Sequence, residues 1–287
     1  MRTLILADIH ANRAALSAVL ATPEARACGA VISLGDQINY GPCPAECLAM
    51  LRAFAAEGGR GLHLLRGNHE DRLPRLSGPE FDGANWRLLR WTARRLDVED
   101  TDWPVDLRLG HVLCTHGTPG DPWHLLITEE DVRAALEALP EGVDILLSGH
   151  NHRRWEVRHN GKLAVNPGSL GMWEGSAGGG CAPFAVWGEE GISLHQVPYD
   201  LQALKRDYVQ SGCWREDPVL TRLALQVMTG GEPMLCLHYF RHAAAVAAET
   251  GAAVGDEDAW RRADARWPWP NRETTEAFWR RMEEECA

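Results

Sequence analysis

The sequence has no long apolar run. Nowhere in its 287 residues do roughly 18 uninterrupted apolar residues occur, which is about the length that a membrane-spanning helix needs. The first ten residues, MRTLILADIH, hold too short an apolar stretch for the core of a signal peptide. We therefore expect a cytoplasmic protein that has no membrane partner.

Paired cysteines and an excess of positive charge are also missing. The eight cysteines form no CxxC pair and no zinc-ribbon spacing, so we expect reduced thiols. The formal net charge is -11, and the basic face that binds a long nucleic acid is not visible. A small anionic substrate stays compatible with this charge, because bound cations reverse the local potential.

The first two thirds of the chain alternate short apolar runs with amphipathic stretches, which is typical of an α/β protein. Several runs are almost wholly apolar and indicate strands buried on both faces. We predict helices at 12–20, 45–57, 84–96 and 128–139, with 70–108 as an excursion from the sheet. The predicted strands are 3–7, 30–34, 62–65, 112–115, 144–147, 163–165, 182–187 and 192–197.

The last third of the chain has a different character. Residues 200–287 contain many helix formers, five tryptophans and no convincing strand. We predict a first domain of residues 1–199 and a helical C-terminal extension of residues 200–287 that packs on it. The extension is also where we expect a homo-oligomer contact, if one forms. The glycine-rich stretch 175–180 is predicted to be a loop between strands.

Five of the predicted strands end in aspartate, histidine or asparagine. Any one such residue is ordinarily a helix cap, a turn residue or a buried imidazole. In α/β folds, however, functional groups gather at the carboxyl ends of strands, so the joint pattern predicts one shared site. The residues are Asp8 and His10, then Asp36, then Asn68 and His69, then His116, and finally His150 and His152.

The chemistry of this set indicates metal ions. Apart from His69 it offers seven candidate ligands: four imidazoles, two carboxylates and one amide oxygen, with no thiolate. Such donors suit Mn²⁺, Fe, Zn²⁺, Co²⁺ or Ni²⁺ better than an oxygen-only Mg²⁺ or Ca²⁺ site. Seven ligands are too many for one catalytic metal and suit two metals that share a bridge. We expect Mn²⁺ first, with the other transition metals and Mg²⁺ as alternatives.

The order of these motifs resembles the calcineurin-like metallophosphoesterase superfamily, and within it the small bacterial phosphodiesterase-like branch. The resemblance covers roughly residues 3–199 and implies a four-layer α/β/β/α sandwich. It is carried by DIHANRAAL (8–16), GDQINYGPCP (35–44), RGNHE (66–70), THGTPGDP (115–122), SGHNH (148–152) and NPGS (166–169).

The resemblance also implies a role for each motif residue. Asp36 would bridge the two metals, together with a hydroxide that attacks phosphorus. His69 would bind no metal and would instead protonate or stabilise the departing oxygen. We expect Glu70 to be a structural group or a residue that supports a metal ligand without binding the metal itself. One metal would take Asp8, His10, Asp36 and His152, and the other Asp36, Asn68, His116 and His150.

Two stretches depart from the relatives. Protein phosphatases and symmetrical dinucleoside-tetraphosphate hydrolases typically carry GDxVDRG or GDxVNRG. The arginine of these motifs binds phosphate, and here GDQINYGP has Tyr40 in its place. Asn39 matches the motif of the dinucleotide hydrolases, so that activity stays an alternative. After NPGS, Trp173 and Glu174 stand where Pro-Arg is common, and a carboxylate there would not help to hold a phosphate.

We therefore expect a metal-dependent hydrolase of phosphoesters, foremost a phosphodiesterase that acts on a small nucleotide-type or cyclic-nucleotide diester. A phosphomonoesterase and a dinucleoside-polyphosphate hydrolase are the alternatives. A non-catalytic binding scaffold is disfavoured, because every ligand position is filled. Arg13, Arg66 and Arg72 are each expected to be a substrate contact or an ordinary ion pair. The candidate substrate contacts are Asn12, Arg13, Tyr40, Arg66 and Trp123.

Overall fold

Two five-stranded β-sheets form the centre of this computed structural model, which describes residues 1–97, 101–174 and 179–286. The strands are β1 (Thr3–Leu6), β2 (Ala30–Ser33), β3 (Gly61–Leu64), β4 (Asp106–Leu109), β5 (Val112–Thr115), β6 (Ile145–Leu147), β7 (Arg154–His159), β8 (Lys162–Pro167), β9 (Cys181–Gly188) and β10 (Gly191–Pro198). The first sheet has the order β10-β9-β1-β2-β3 and the second the order β4-β5-β6-β8-β7.

Parallel strands occupy the middle of both sheets. β1, β2 and β3 are parallel in the first sheet, and β5, β6 and β8 are parallel in the second. Parallel neighbours end at the same edge of a sheet, so the loops that follow them meet there. This arrangement brings the motif residues of each sheet together.

Strand β1 shows why its apolar run is continuous. Leu4 and Leu6 pack towards helices on the outer face of the first sheet, whereas Ile5 packs between the two sheets. All three side chains are fully buried, because both faces of the strand are covered. The second sheet contributes Val112, Cys114, Leu147 and Val165 to the layer between the sheets.

Helices cover the outer face of each sheet. Before residue 200 the α-helices are α1 (Arg13–Leu20), α2 (Pro23–Arg26), α3 (Pro44–Glu57), α4 (Asn68–Arg72), α5 (Arg87–Ala93) and α6 (Glu129–Glu137). α1 and α3 pack on the first sheet, and α6 packs on the second. The resulting layer order is α/β/β/α, which confirms the predicted fold class.

Two strands, β4 and β7, were absent from the prediction. They lie at the two edges of the second sheet, and most of their side chains are only partly buried. An edge strand with one covered face lacks the apolar run that revealed the central strands. The predicted excursion at 70–108 therefore ends at Asp106, and the helix predicted at 84–96 is a 3₁₀ turn, Ala84–Trp86, followed by α5. Residues 175–178 of the predicted glycine-rich loop lie outside the described residues.

The C-terminal part is helical, and its described residues contain no strand. Its helices are α7 (Leu201–Ser211), α8 (Cys213–Glu216), α9 (Pro218–Gly230), α10 (Leu235–Ala248), α11 (Glu257–Arg266) and α12 (Thr275–Cys286). The core around Tyr208 and Trp279 also includes Leu88, Trp91 and Met172 from the earlier part of the chain. The two-domain division at residue 199 therefore stays a prediction. Across the described residues, no helix has both the length and the apolar character of a bilayer span.

Candidate metal centre

The eight residues found at strand ends come together in one cluster. Asn68 joins it through Oδ1, which lies 3.1 Å from Nε2 of His116. The other seven form overlapping groups whose potential ligand atoms lie within 4.8 Å of one another. In the described part of the chain these groups are Asp8 with His10 and His152, His10 with Asp36 and His69, and Asp36 with His116 and His150.

Backbone carbonyls fix the orientation of two imidazoles. Nδ1–H of His10 donates to the Ile38 carbonyl at 3.1 Å, and Nδ1–H of His116 donates to the Leu34 carbonyl at 2.9 Å. A ring that donates through Nδ1 keeps Nε2 as its metal-binding nitrogen. Both Nε2 atoms face the interior of the cluster, where that of His116 lies 3.3 Å from Oδ2 of Asp36.

The contacts inside the cluster fit a bound cation. Nε2 of His10 lies 3.0 Å from Nε2 of His152, so two nitrogens whose lone pairs can bind a metal face each other. The second of them is also 3.6 Å from Oδ1 of Asp8. Nitrogen and oxygen donors at this density, without a thiolate, match the ligand chemistry of divalent transition metals.

Burial and close packing shift the pKa values in the cluster. Burial lowers the pKa of His10 well below its ordinary value and that of His150 to about 3, so both rings are neutral at pH 7. Burial alone would raise the pKa of Asp36, but His116 and His69 outweigh it and hold this pKa well below the ordinary range. For His116 the effects are reversed. Burial lowers the pKa of this ring, but the attraction to Asp36 outweighs burial and raises the pKa to about 9. An imidazolium thus neutralises Asp36, as a cation would.

The backbone at the cluster is held in a conformation that most residues avoid. A left-handed backbone costs a non-glycine residue about 1–3 kcal/mol, and it persists only where the surrounding structure enforces it. Five of the predicted ligands adopt it, which indicates that the fold enforces these positions. They are Asp8 (φ 52°), His10 (φ 47°), Asp36 (φ 53°), His150 (φ 69°) and His152 (φ 58°).

Glycines next to the ligands allow a close backbone approach. A Cβ atom on Gly67 would lie 2.1 Å from Oδ1 of Asp36, and one on Gly35 would lie 2.5 Å from Nδ1 of His116. Gly35 also has a φ of 108°, which L residues rarely adopt. The glycines of GDQ and RGN are therefore required by the contact between these two loops.

Glu70 holds the loop that carries Asp36. Its carboxylate is buried, and Oε2 accepts from the N–H groups of Asp36 at 3.0 Å and Gly67 at 2.9 Å. Oε1 accepts from Gln37 at 2.9 Å and from Ile38 at 3.3 Å. Burial and Asp36 raise the pKa of Glu70 to about 8, but all four partners are donors, so the geometry favours the ionised carboxylate. The structural role predicted for Glu70 is confirmed.

Asn39 orients His69 through a contact that no local sequence pattern predicts. Nδ2 of Asn39 donates to Nδ1 of His69 at 2.9 Å, which leaves the proton of the neutral ring on Nε2. The backbone N–H of His69 donates to Oδ1 of Asp36 at 3.0 Å. Burial lowers the pKa of His69 to about 4, so the ring is a neutral donor at pH 7.

A cavity of about 260 Å³ opens over the cluster. Asp36, Asn68, His69, His150 and His152 line part of it. The rest of the lining contains the polar residues Asn151, Arg153 and Glu174 and a set of apolar residues, two of them at the start of α10. These apolar residues are Leu125, Ile127, Met172, Met234 and Leu237.

Comparison with known proteins identifies the family. The family model described as the calcineurin-like phosphoesterase superfamily domain matches residues 1–186. The chain belongs to this superfamily. The solved structure of a metallophosphoesterase from Sphaerobacter thermophilus is similar, with a TM-score of 0.64 and 26% identity over 79% of this chain and 99% of that one.

Two further proteins are similar to this chain. A hypothetical protein from Pyrococcus horikoshii shares the fold, with a TM-score of 0.66 and 18% identity over 81% of this chain and 99% of that one. An uncharacterized protein from Methanocaldococcus jannaschii is 25% identical over 226 residues, which are 69% of this chain and 88% of the relative. The Pyrococcus horikoshii structure shows the fold.

The structure places three of the predicted substrate contacts away from the cavity lining. Oδ1 of Asn12 accepts from Ala15 N–H at 3.0 Å and caps α1. Arg13 forms an ion pair with Asp207 of α7. Both side chains therefore have their polar partners elsewhere in the protein, and neither lines the cavity over the cluster. Arg66 likewise pairs with carboxylates, those of Asp71 at 3.5 Å and Asp102 at 3.0 Å.

The other two predicted contacts lie beside the cluster. The Tyr40 ring lines the cavity and meets the rings of His10 and His69 edge-on, with centroids 5.2 and 5.0 Å away. The carbonyl of Trp123 accepts from Nε2 of His150 at 3.1 Å, which leaves Nδ1 as the nitrogen of that ring that could bind a metal. Whether Tyr40 and Trp123 touch substrate stays a prediction.

The carboxylate of Glu174, which the sequence placed where a phosphate contact is common, faces a histidine. Its Oε1 lies 3.7 Å from Nδ1 of His152. Burial alone would lower the pKa of that ring, but the contact with Glu174 is the main cause that raises it above its ordinary value. A carboxylate behind a metal-binding histidine orients the ring and increases its basicity. Glu174 therefore has a partner that accounts for its negative charge.

Proposed function

We propose that this phosphoesterase is a dinuclear metal-dependent phosphodiesterase that hydrolyses a small nucleotide-type or cyclic-nucleotide diester. The position of Asp36 carries the proposal. Its Oδ2 lies 3.3 Å from Nε2 of His116, 3.7 Å from that of His69 and 3.9 Å from that of His10. Asp36 thus stands between the two sides of the cluster, as a carboxylate shared by two cations would.

The donor set supports two divalent cations, with Mn²⁺ as the first candidate. Cations bound there would lower the pKa of a shared water and neutralise the phosphoryl oxygens. The neutral rings of His10 and His150 suit this role, because a metal ligand must be unprotonated. We assign Asp8, His10, Asp36 and His152 to one cation and Asp36, Asn68, His116 and His150 to the other.

His69 is the candidate catalytic residue. Asn39 holds its Nδ1, so Nε2–H is free to donate to the leaving oxygen of a phosphate bound over Asp36. A donor aimed at developing negative charge in a buried site stabilises the transition state. Removal of such a donor typically costs about 10²–10³ in kcat.

The apolar part of the cavity lining supports a diester over a monoester. Leu125, Ile127, Met234 and Leu237 line the same cavity as the cluster and present apolar surface to a bound ligand. A second ester group would bury apolar surface there, at roughly 25 cal/mol per Å². A monoester has no group to place on this surface.

Hydrolysis of bis(p-nitrophenyl) phosphate and of p-nitrophenyl phosphate, each with Mn²⁺ or EDTA, tests the proposal. We expect Mn²⁺-dependent activity with the diester as the better substrate. Asp36→Asn should abolish turnover, while the exposed Asp82→Asn serves as its control. His69→Ala should lower kcat by about 10²-fold on a diester with an alcohol leaving group, with exposed His238→Ala as its control.

Undiminished turnover in Asp36→Asn would rule out the assigned centre. A preference for p-nitrophenyl phosphate would instead identify a phosphomonoesterase. Cleavage restricted to dinucleoside polyphosphates would identify a dinucleoside-polyphosphate hydrolase, the alternative that Asn39 supports. Each outcome is read from the released products.

A further inference from the structure

A second cavity also borders His69. It has a volume of about 370 Å³ and shares Tyr40, Asn68, His69 and Leu237 with the cavity over the metal cluster. Because the two cavities share these residues, they adjoin, and a leaving group bound beside His69 can extend into this side cavity. The rest of its lining is largely apolar, with Asn39, Arg72 and Asn85 as the polar residues and Trp86, Leu88, Leu89, Leu220 and Phe240 as the apolar ones.

Arg72 is the charged residue in the side-cavity lining. The other lining side chains within the described residues are apolar, amide, phenol or imidazole. The guanidinium Cζ lies 4.6 Å from the ring centroid of Trp86 and 4.1 Å from that of Trp123, so it is held between two indole faces. Cation–π contacts of this kind fix an arginine side chain while leaving the N–H groups at its edge unused.

Within the part of the chain that the structure describes, those N–H groups have no acceptor. Among the described residues, no carboxylate or carbonyl lies within hydrogen-bonding or ion-pairing distance of the Arg72 guanidinium. The neighbouring arginines differ, since Arg66 and Arg75 both pair with Asp71. Oδ2 of Asp71 also accepts from the indole N–H of Trp123 at 3.0 Å, which places that ring over Arg72. Asp71 therefore orients the Trp123 ring and forms no ion pair with the Arg72 guanidinium.

We propose that Arg72 binds a second phosphate group, carried by the leaving group of the substrate. The inference rests on the proposed function and narrows its substrate class to diesters whose departing alcohol itself bears a phosphate. An arginine fork matches two phosphate oxygens, and the two indoles already hold its orientation. The apolar wall beyond Arg72 then receives the carbon skeleton of the same leaving group.

Binding of nucleotides with one or two phosphates tests this role. The probes are AMP and adenosine 3′,5′-bisphosphate, titrated calorimetrically into Mn²⁺-loaded protein. We expect the wild type to bind the bisphosphate at least about tenfold more tightly, since one charge-assisted contact contributes about 1.5–3 kcal/mol. Arg72→Met keeps the packing between the indoles but removes the charge, and should reduce this preference to less than about threefold.

Two further variants interpret that result. Arg72→Lys keeps the charge without the fork and should retain part of the preference. Arg75→Met removes a nearby exposed arginine that lines neither cavity and should retain all of it. Unfolding temperatures show whether each variant is folded, and Arg72→Lys decides the matter if Arg72→Met is not.

Three results would overturn the inference. They are a wild type without preference for the bisphosphate, an Arg72→Met variant that keeps it, and an equal loss for both nucleotides. The last would mean that Arg72 contacts the phosphate at the metal centre. Calorimetry needs no turnover, so a preference that depends on Arg72 in a protein that cleaves no diester would refute the proposed function and leave the phosphate site standing.

Discussion

Removal of the Glu70 carboxylate should destabilise the protein even without metal. Three of its bonds to backbone N–H groups, from Asp36, Gln37 and Gly67, measure 3.0 Å or less. An unpaired buried donor costs about 1–3 kcal/mol, so Glu70→Ala should lower the free energy of unfolding by at least about 3 kcal/mol. In a chain of this size each kcal/mol lowers Tm by about 2–4 °C, which gives a loss of at least about 6 °C.

Thermal and urea unfolding of EDTA-treated protein measure this loss directly. Glu70→Gln keeps one acceptor oxygen but turns an NH₂ group towards the other donors, so it should lose about half as much as Glu70→Ala. Glu130→Ala, at an exposed position in α6, controls for removal of a glutamate. A Tm within about 2 °C of wild type for Glu70→Ala would show that Glu70 does not hold the Asp36 loop.

Two other substitutions test separate features. Burial raises the pKa of Asp217 to about 7, so the folded protein binds more protons than the unfolded chain between about pH 4 and 7 and loses stability as pH rises. Asp217→Asn should therefore lose about 2–3 kcal/mol less than wild type between pH 5 and 8 in urea unfolding, and an unchanged pH dependence would refute this. Gly67→Ala forces a Cβ against Asp36 and should weaken Mn²⁺ binding by at least about tenfold in calorimetry, whereas Gly230→Ala, with open space around its Cβ, should not. Equal affinities in these two variants would contradict the assigned contact.

The cluster could be predicted because its residues follow buried strands. Asp8 and Asp36 come within a few residues of fully buried parallel strands, β1 and β2, and parallel pairing aligns their ends. The central strands gave the same clear signal, since their apolar runs are buried on both faces. The edge strands β4 and β7 gave none, because most of their side chains are only partly buried.

Contacts between distant residues could not be predicted. Arg13 and Asp207 are 194 positions apart, and no local pattern links them, so the sequence left Arg13 open between a substrate contact and an ion pair. The bond from Asn39 to His69 joins two loops whose relative position depends on the whole sheet. Arg72 was open to either interpretation, and only the positions of Trp86 and Trp123 distinguish it from the paired arginines.

The number of metal ions bound per chain tests the central claim most directly. Metal-free protein is saturated with Mn²⁺, freed of excess metal, and analysed for metal and protein content. The shared position of Asp36 predicts two ions per wild-type chain and a lower number in Asp36→Asn. One ion or none in the wild type, or an unchanged number in Asp36→Asn, would contradict a dinuclear centre bridged by this carboxylate.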